Sequence, residues 1–258
     1  MNGQTHVDYH DSLSAGLSLI KGEKINVGCV ICDGNLAQSK VFNDTSWENS
    51  FIRSNNDNLY KIIFVPCLCH RIHNSYAYQA QKNENLKRIV LHIHNIAKLC
   101  RDHIEDIGAI CPAHISTRWV YDYEICKFIK IHYNKISQFT EVDIESVNKL
   151  YECLCILKKL INVFESDKCQ ICEAYLWLHR AISALNALDN EYSTIISASL
   201  DSYTLDSDFG GIWSLAFILT PVGRSYFHRR FYCNEVDESG TKYFNDLKLT
   251  ENDPFIDA

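Results

Sequence analysis

The chain has 258 residues, of which 47% are hydrophobic and 22% are charged, a composition typical of a folded globular protein and not of a disordered one. Its formal net charge of −7 argues against the broad basic surface that usually holds nucleic-acid phosphates. No apolar run approaches the ~20 residues of a membrane-spanning helix, so we expect no membrane partner and a nuclear or cytoplasmic protein.

Cysteine usage points to the same compartments. Twelve cysteines occur without a basic segment and long apolar core at the start of the chain, so the sequence predicts no signal peptide. Cysteines in that context are typically reduced thiols and not a disulfide framework.

The first part of the chain predicts one helix and two strands. Residues 8–22 have apolar side chains at helical spacing. Ile25–Cys32 is a continuous apolar run with β-branched residues, which indicates a strand buried on both faces. Residues 42–60 are rich in Asn, Asp and Ser and predict a loop. A second buried strand, Lys61–Val65, ends at Pro66, and the two strands are expected to pair in parallel.

From Lys87 onward, helical periodicity replaces the strand pattern. Turn-like segments interrupt it at Cys111–His114 and Glu141–Ser146, and further helices are predicted over Ala174–Leu188 and Gly211–Leu219. The mainly apolar residues that share a helical face fall into three sets, of which the second also includes a histidine: Ile89, Ile93, Ile96 and Leu99; Ile125, Phe128, Ile129 and His132; Leu150, Leu154, Leu157 and Ile161.

Asp33 is the first candidate functional residue. It follows a buried strand directly, and α/β sheets commonly place functional groups at that end of a strand. A carboxylate there suits metal-dependent phosphoryl chemistry, which needs several acids to hold two ions. The alternative is structural, because Asp33-Gly34 makes a common turn and Asp33 can cap a following helix.

Two further groups carry chemistry-bearing side chains. Cys67, Cys69, His70 and His73 are metal-type ligands within seven residues, but a structural zinc site needs four converging ligands, and free cysteines are often simply buried. The Arg118-Trp119 pair offers an indole on which a nucleic-acid base can stack. It also fits a helix start with the Trp packed in a core.

Taken in order, three segments resemble the hAT family of transposases. They are NVGCVICDGN (residues 26–35), IIFVPCLCHRIHN (residues 62–74) and STRW (residues 116–119). The family carries a strand-end Asp, a Cys-x-x-His after the next strand, and an Arg-Trp pair. The resemblance implies that Asp33 is the second catalytic acid, that Cys67 and His70 are the Cys-x-x-His, and that Arg118 and Trp119 lie near the DNA end. Gly34 replaces the Asn that follows the acid in the family.

The resemblance also implies a fold class, α/β plus all-α. Residues 1–86 would form a partial ribonuclease-H-like core, residues 87–222 a helical insertion domain, and residues 223–258 a polar tail. The family reaction is Mg²⁺-dependent DNA cleavage and strand transfer. This chain is expected to lack the first catalytic Asp and the last catalytic Glu, so Asp33 alone makes an incomplete metal site and no cofactor is predicted.

The predicted function is therefore a transposase-derived protein without catalysis, with DNA, a protein partner or an oligomer as possible partners. The alternative is a helical scaffold or protein-interaction module, which predicts an exposed apolar patch. A third reading, with Cys67 or Cys69 as nucleophile and His70 or His73 as base, requires a sulfur–imidazole contact. If metal-dependent cleavage were found, Glu124 or Asp122 would be the candidate replacement acid.

Overall fold

A computed structural model of the chain describes residues 29–32, 63–113, 120–166, 171–205, 210–221 and 223–224. The chain divides into two compact units, Met1–Arg71 and Ile72–Ala258. The strands and helices are β1 (Cys29–Cys32), β2 (Ile63–Pro66), α1 (Leu68–Lys82), α2 (Glu84–Asp102), α3 (Ile104–Ile107), α4 (Val120–Ile136), α5 (Ile144–Phe164), α6 (Ile171–Ala187), α7 (Glu191–Tyr203) and α8 (Gly210–Ile218).

The two strands pair in parallel, as the apolar runs predict. The register aligns Cys29 with Ile63 and Cys32 with Pro66, so four residue pairs form the ladder. Pro66 ends β2 because its ring nitrogen has no hydrogen to donate to the ladder. Helix α1 begins two residues later.

The predicted fold class, α/β plus all-α with a partial ribonuclease-H-like sheet, is wrong. The described part of the chain is mainly helical, and its only strand pairing is the four-residue ladder between β1 and β2. An α/β fold needs a sheet wide enough to cover with helices on its faces. Here the long helices bury their apolar faces against one another, so helix-on-helix packing forms the described core.

The helical core is built by successive contacts along the chain. Helix α2 packs on α4, α4 on α5, α5 on α6, and α6 on both α7 and α8. The buried positions follow the predicted periodicity in α4 (Ile125, Phe128 and Ile129) and in α5 (Leu150, Leu154, Leu157 and Ile161). These apolar faces are confirmed, and their burial is the main stabilising contribution of the described helices.

One predicted core position, Leu99 of α2, is wrong. Ile89, Ile93 and Ile96 are buried, but the Leu99 side chain is 39% exposed and Cys100 is buried in its place. At 100° per residue, Leu99 lies about 120° around the helix from Ile93, whereas Cys100 lies only about 20° away. The short, apolar thiol therefore continues the buried face.

Local hydrogen bonds set the ends of several helices. The Asn83 side chain accepts hydrogen bonds from the backbone N–H groups of Asn85 and Leu86, and so starts α2. Asn190 and Ser193 form a reciprocal capping box at the start of α7. Gly108 ends α3 with φ +75°, a conformation that glycine adopts at little cost, and its N–H donates to the carbonyl of Ile104.

A buried hydrogen bond joins α1, which contributes to the site described below, to α7. The Ser199 hydroxyl of α7 donates to the carbonyl of Ser75 at 2.9 Å, and both residues are buried.

None of the described helices is both long and apolar enough to cross a membrane. The boundary between the two compact units falls after Arg71, inside α1.

Candidate functional site

Two of the predicted site residues lie at the junction between β2 and α1. Cys67 follows Pro66 directly, its carbonyl accepts a hydrogen bond from the Arg71 N–H at 3.1 Å, and its side chain is half-buried. His70 is exposed in the first turn of α1. The other predicted site residues, Asp33, Arg118 and Trp119, lie outside the described residues.

The Cys67 thiol is acidified by its neighbours. The pKa of Cys67 is lowered to about 4, chiefly by a hydrogen bond with the Cys69 side chain. Partial burial opposes this effect, and hydrogen bonds and the positive charge of His70 add to it. The start of a helix also favours negative charge. His70 thus contributes to lowering the pKa of Cys67, and the thiolate is the form of a cysteine that reacts with electrophiles.

A second cluster of polar side chains joins three helices of the unit Ile72–Ala258. Its centre is Asp122, in the first turn of α4, which is only 3% exposed. The Tyr76 hydroxyl of α1 donates to Asp122 Oδ2 at 2.9 Å. His94 Nε2 of α2 lies 2.7 Å from Asp122 Oδ1. Both carboxylate oxygens thus have a hydrogen-bond partner, which a buried carboxylate needs.

The cluster also perturbs Tyr76. Burial, followed by the negative charge of Asp122, raises the pKa of the Tyr76 phenol well above its usual value. The Tyr76 hydroxyl therefore stays protonated and donates its hydrogen bond to Asp122 over the whole physiological pH range. The partners are 46 and 28 residues apart in sequence from Asp122, so tertiary packing alone brings them together.

This cluster opens onto a cleft of about 310 Å³. The polar side chains that line it are His73, Tyr76, Gln81, Lys87, His94 and Asp122, and the apolar wall consists of Ala77, Ala80, Val90 and Leu91. The cleft is near the lower end of the size range of small-molecule sites, and its mixture of an apolar wall with a few polar groups is typical of them.

Sequence reasoning missed this cleft. The local signal for it lay in the combination of residue types on α2. Lys87, Leu91 and His94 recur at i, i+4 and i+7, so they share one face of that helix. His73, Tyr76 and Ala80 recur on α1 with a similar period. Neither pattern shows that the two faces meet.

The described cluster does not have the ligands of a Mg²⁺ site, the cofactor that the resemblance implies for the family reaction. Mg²⁺ needs several oxygen ligands in octahedral geometry, whereas Asp122 is the one carboxylate of this cluster and its partners are a phenol and an imidazole. No group of three or more His, Cys, Asp or Glu side chains that could hold a metal ion occurs within the part of the chain that the structure describes.

No protein-family model, curated protein or solved structure matches this chain. The resemblance to the hAT transposases thus rests on the three motifs and their order along the chain.

Proposed function

We propose that this chain is a hAT transposase-derived protein of the nucleus or cytoplasm that acts without DNA chemistry, as a helical protein-interaction module that self-associates. The ancestry is supported by the order of the three motifs and by the position of Cys67 and His70 directly after a strand that pairs in parallel with β1. The interaction role is supported chiefly by one observation, the apolar character of α8 on both of its sides.

Helix α8 has a buried and an exposed face, and both are apolar. Trp213 and Phe217 are buried, and α8 packs on α6. On the opposite side Leu215 and Leu219 are 58% and 69% exposed. The Leu219 N–H donates to the carbonyl of Leu215 at 3.1 Å, so these side chains lie one helical turn apart on one outer face.

A helix that is apolar on all sides is normally buried on all sides. The outer face of α8 is therefore expected to have a protein partner, and a second copy of the chain fits it well. The helix Gly210–Ile218 contains no charged residue, so two copies can approach there without bringing like charges into contact. Symmetric pairing of one surface with itself is also the commonest mode of self-association.

The loss of DNA chemistry is supported by the state of Asp122. This acid was the candidate to replace a missing catalytic carboxylate, but Tyr76 and His94 engage both of its oxygens. An acid used in this way joins α1, α2 and α4 through both of its oxygens, which is a structural role.

Sedimentation velocity of the full chain over a concentration series tests the proposal. We expect a reversible dimer with micromolar affinity, as suits a small interface. The double variant Leu215→Glu, Leu219→Glu should weaken the dimer by about 2 kcal/mol or more, because it removes two buried leucines and adds like charges. The same preparation should show no Mg²⁺- or Mn²⁺-dependent nicking of DNA.

A matched control introduces the same charges at other exposed apolar residues. Ile110→Glu with Ile131→Glu changes two side chains that are 75% and 65% exposed, and it should leave the dimer intact. A wild-type chain that stays monomeric at high concentration would contradict self-association. If the α8 variant unfolds instead of dissociating, the outer face of α8 is covered by another segment of the same chain, and this result would contradict self-association through α8. Metal-dependent cleavage that disappears in Asp33→Asn would contradict the loss of catalysis.

A further inference from the structure

Two buried cysteines meet where the chain leaves α2. Cys100 is in the last turn of α2, and Cys111 lies in the irregular segment that follows α3. Gly108, with φ +75°, turns the chain at the end of α3 and so brings the two cysteines together across that one-turn helix. Both side chains are free thiols, and they are only 0% and 1% exposed.

The two thiols are hydrogen-bonded to each other, so their sulfur atoms are in direct contact. This hydrogen bond lowers the pKa of Cys100, an effect that burial opposes and that the nearby His103 and Arg101 reinforce. The same hydrogen bond, together with burial, raises the pKa of Cys111. Cys111 is therefore the donor of the pair, and Cys100 is the sulfur that more readily becomes a thiolate, the form that reacts with oxidants.

The segment that carries Cys111 is anchored at one end and lies at the surface. The Lys135 ammonium group of α4 donates to the carbonyl of Ile107 at 2.6 Å, and the Ile107 side chain is buried. Ile110, the residue before Cys111, is 75% exposed. A disulfide requires the two sulfur atoms to approach to about 2.05 Å. Cys100 is fixed on a long helix, whereas the irregular backbone around Cys111 can make that small movement.

We propose that Cys100 and Cys111 form a reversible disulfide when the protein meets a hydroperoxide. The Cys100 thiolate attacks one oxygen of hydrogen peroxide, the O–O bond breaks, and Cys100 becomes a sulfenic acid. The hydroxide that leaves takes up a proton and becomes water. The Cys111 sulfur then attacks the Cys100 sulfur, and the S–O bond breaks. The Cys111 proton passes to the leaving hydroxide, which departs as a second water.

In this reaction two electrons pass from the two thiols to the peroxide. A small thiol such as glutathione returns them by thiol–disulfide exchange and restores the reduced pair. The disulfide ties the end of α2 to the segment after α3, and it restricts the unfolded chain by closing a loop of about ten residues. This redox switch involves no residue of α8, so it is independent of self-association.

Peptide mapping of the full chain after exposure to hydrogen peroxide tests the proposal. Trypsin cleaves after Arg101, so Cys100 and Cys111 fall in separate peptides, residues 99–101 and 102–118, each with one cysteine. We expect these two peptides to be joined by a disulfide in the oxidised chain and to separate after reduction. The oxidised chain should also unfold at a Tm about 5–10 °C higher than the reduced chain.

Single variants separate the roles of the two thiols. In Cys111→Ala the sulfenic acid of Cys100 has no partner, so dimedone should label Cys100. In Cys100→Ala dimedone should label Cys111 at least about tenfold less, because Cys111 stays protonated. Cys126→Ala is the matched control, since Cys126 is equally buried but lies on α4, and it should still give the linked peptides.

Three results would overturn the proposal. They are the absence of linked peptides from the oxidised wild-type chain, equal dimedone labelling of the remaining cysteine in Cys100→Ala and Cys111→Ala, and a lower Tm for the oxidised chain than for the reduced one. The peptide map is made on the unsubstituted chain, so it decides the proposal even where a variant fails to fold.

Discussion

The hydrogen bond from Tyr76 to Asp122 should make a measurable contribution to stability. Tyr76→Phe removes only the hydroxyl and keeps the buried ring, which is 1% exposed. Asp122 Oδ2 then loses its donor at 2.9 Å inside a buried environment. A hydrogen bond to a charged group contributes about 1.5–3 kcal/mol. We expect the free energy of unfolding to fall by that amount.

The size of the chain converts this loss into a change in thermal stability. Each kcal/mol lowers the Tm of a protein of 150–250 residues by about 2–4 °C, so Tyr76→Phe should lower it by roughly 3–12 °C. Urea unfolding followed by circular dichroism gives the free energy directly, and a thermal scan gives the Tm. The slope of the urea transition should not change, because the variant exposes no additional surface on unfolding.

Tyr78→Phe is the matched control for this measurement. Tyr78 lies two residues further along α1, is 47% exposed and stacks obliquely on Tyr203 with ring centroids 6.0 Å apart. Loss of its exposed hydroxyl should change stability by less than ~0.5 kcal/mol. If the two variants had the same stability, the buried network around Asp122 would not stabilise the packing of α1 on α4, and the reasoning would be refuted.

Two further predictions concern Cys67 and Asn190. Because the pKa of Cys67 is about 4, its thiolate fraction should be nearly constant from pH 6 to 8. The rate of its alkylation by iodoacetamide should therefore be almost independent of pH in that range. The alkylation rate of an ordinary thiol rises about tenfold per pH unit there. Cys69→Ala should raise the pKa of Cys67 most, and His70→Ala should raise it less. Peptide mass spectrometry measures the alkylation rate of Cys67 at pH 6 in each variant. If neither variant slowed this reaction, the two side chains would not be the cause of the lowered pKa. Asn190→Ala removes the side-chain cap of α7 and should lower the free energy of unfolding by about 0.5–2 kcal/mol, while Asn190→Ser should retain most of it. Equal unfolding midpoints for the Ala and Ser variants would show that the cap contributes nothing.

The helices were largely predictable from the sequence because helix formation depends on residues three to four positions apart. The periodic apolar residues of α4 and α5 are buried as expected, and the predicted helix Gly211–Leu219 corresponds to α8 within one residue at each end. One position shows the limit of this rule. Leu99 of α2 is exposed because the buried face continues through Cys100, and the sequence had counted it with the core.

The fold class was not predictable in the same way. A continuous apolar run identifies a buried segment, but the number of strands that join it depends on pairings between distant parts of the chain. The runs ending at Cys32 and Pro66 do pair in parallel, yet the described core is formed by helices packed on helices. The transposase resemblance led to a larger sheet than the described residues contain.

The sequence by itself determined where most of the described helices lie and most of the faces they bury, because these properties depend on neighbouring residues. Only the tertiary structure decided that Tyr76, His94 and Asp122 meet and that a cleft opens beside them. Those contacts join α1, α2 and α4 across 28 and 46 residues, and their formation depends on how three amphipathic helices pack together. A histidine or an aspartate carries no signal in its local sequence for a partner that distant, so the physical cause of this candidate site is the packing itself.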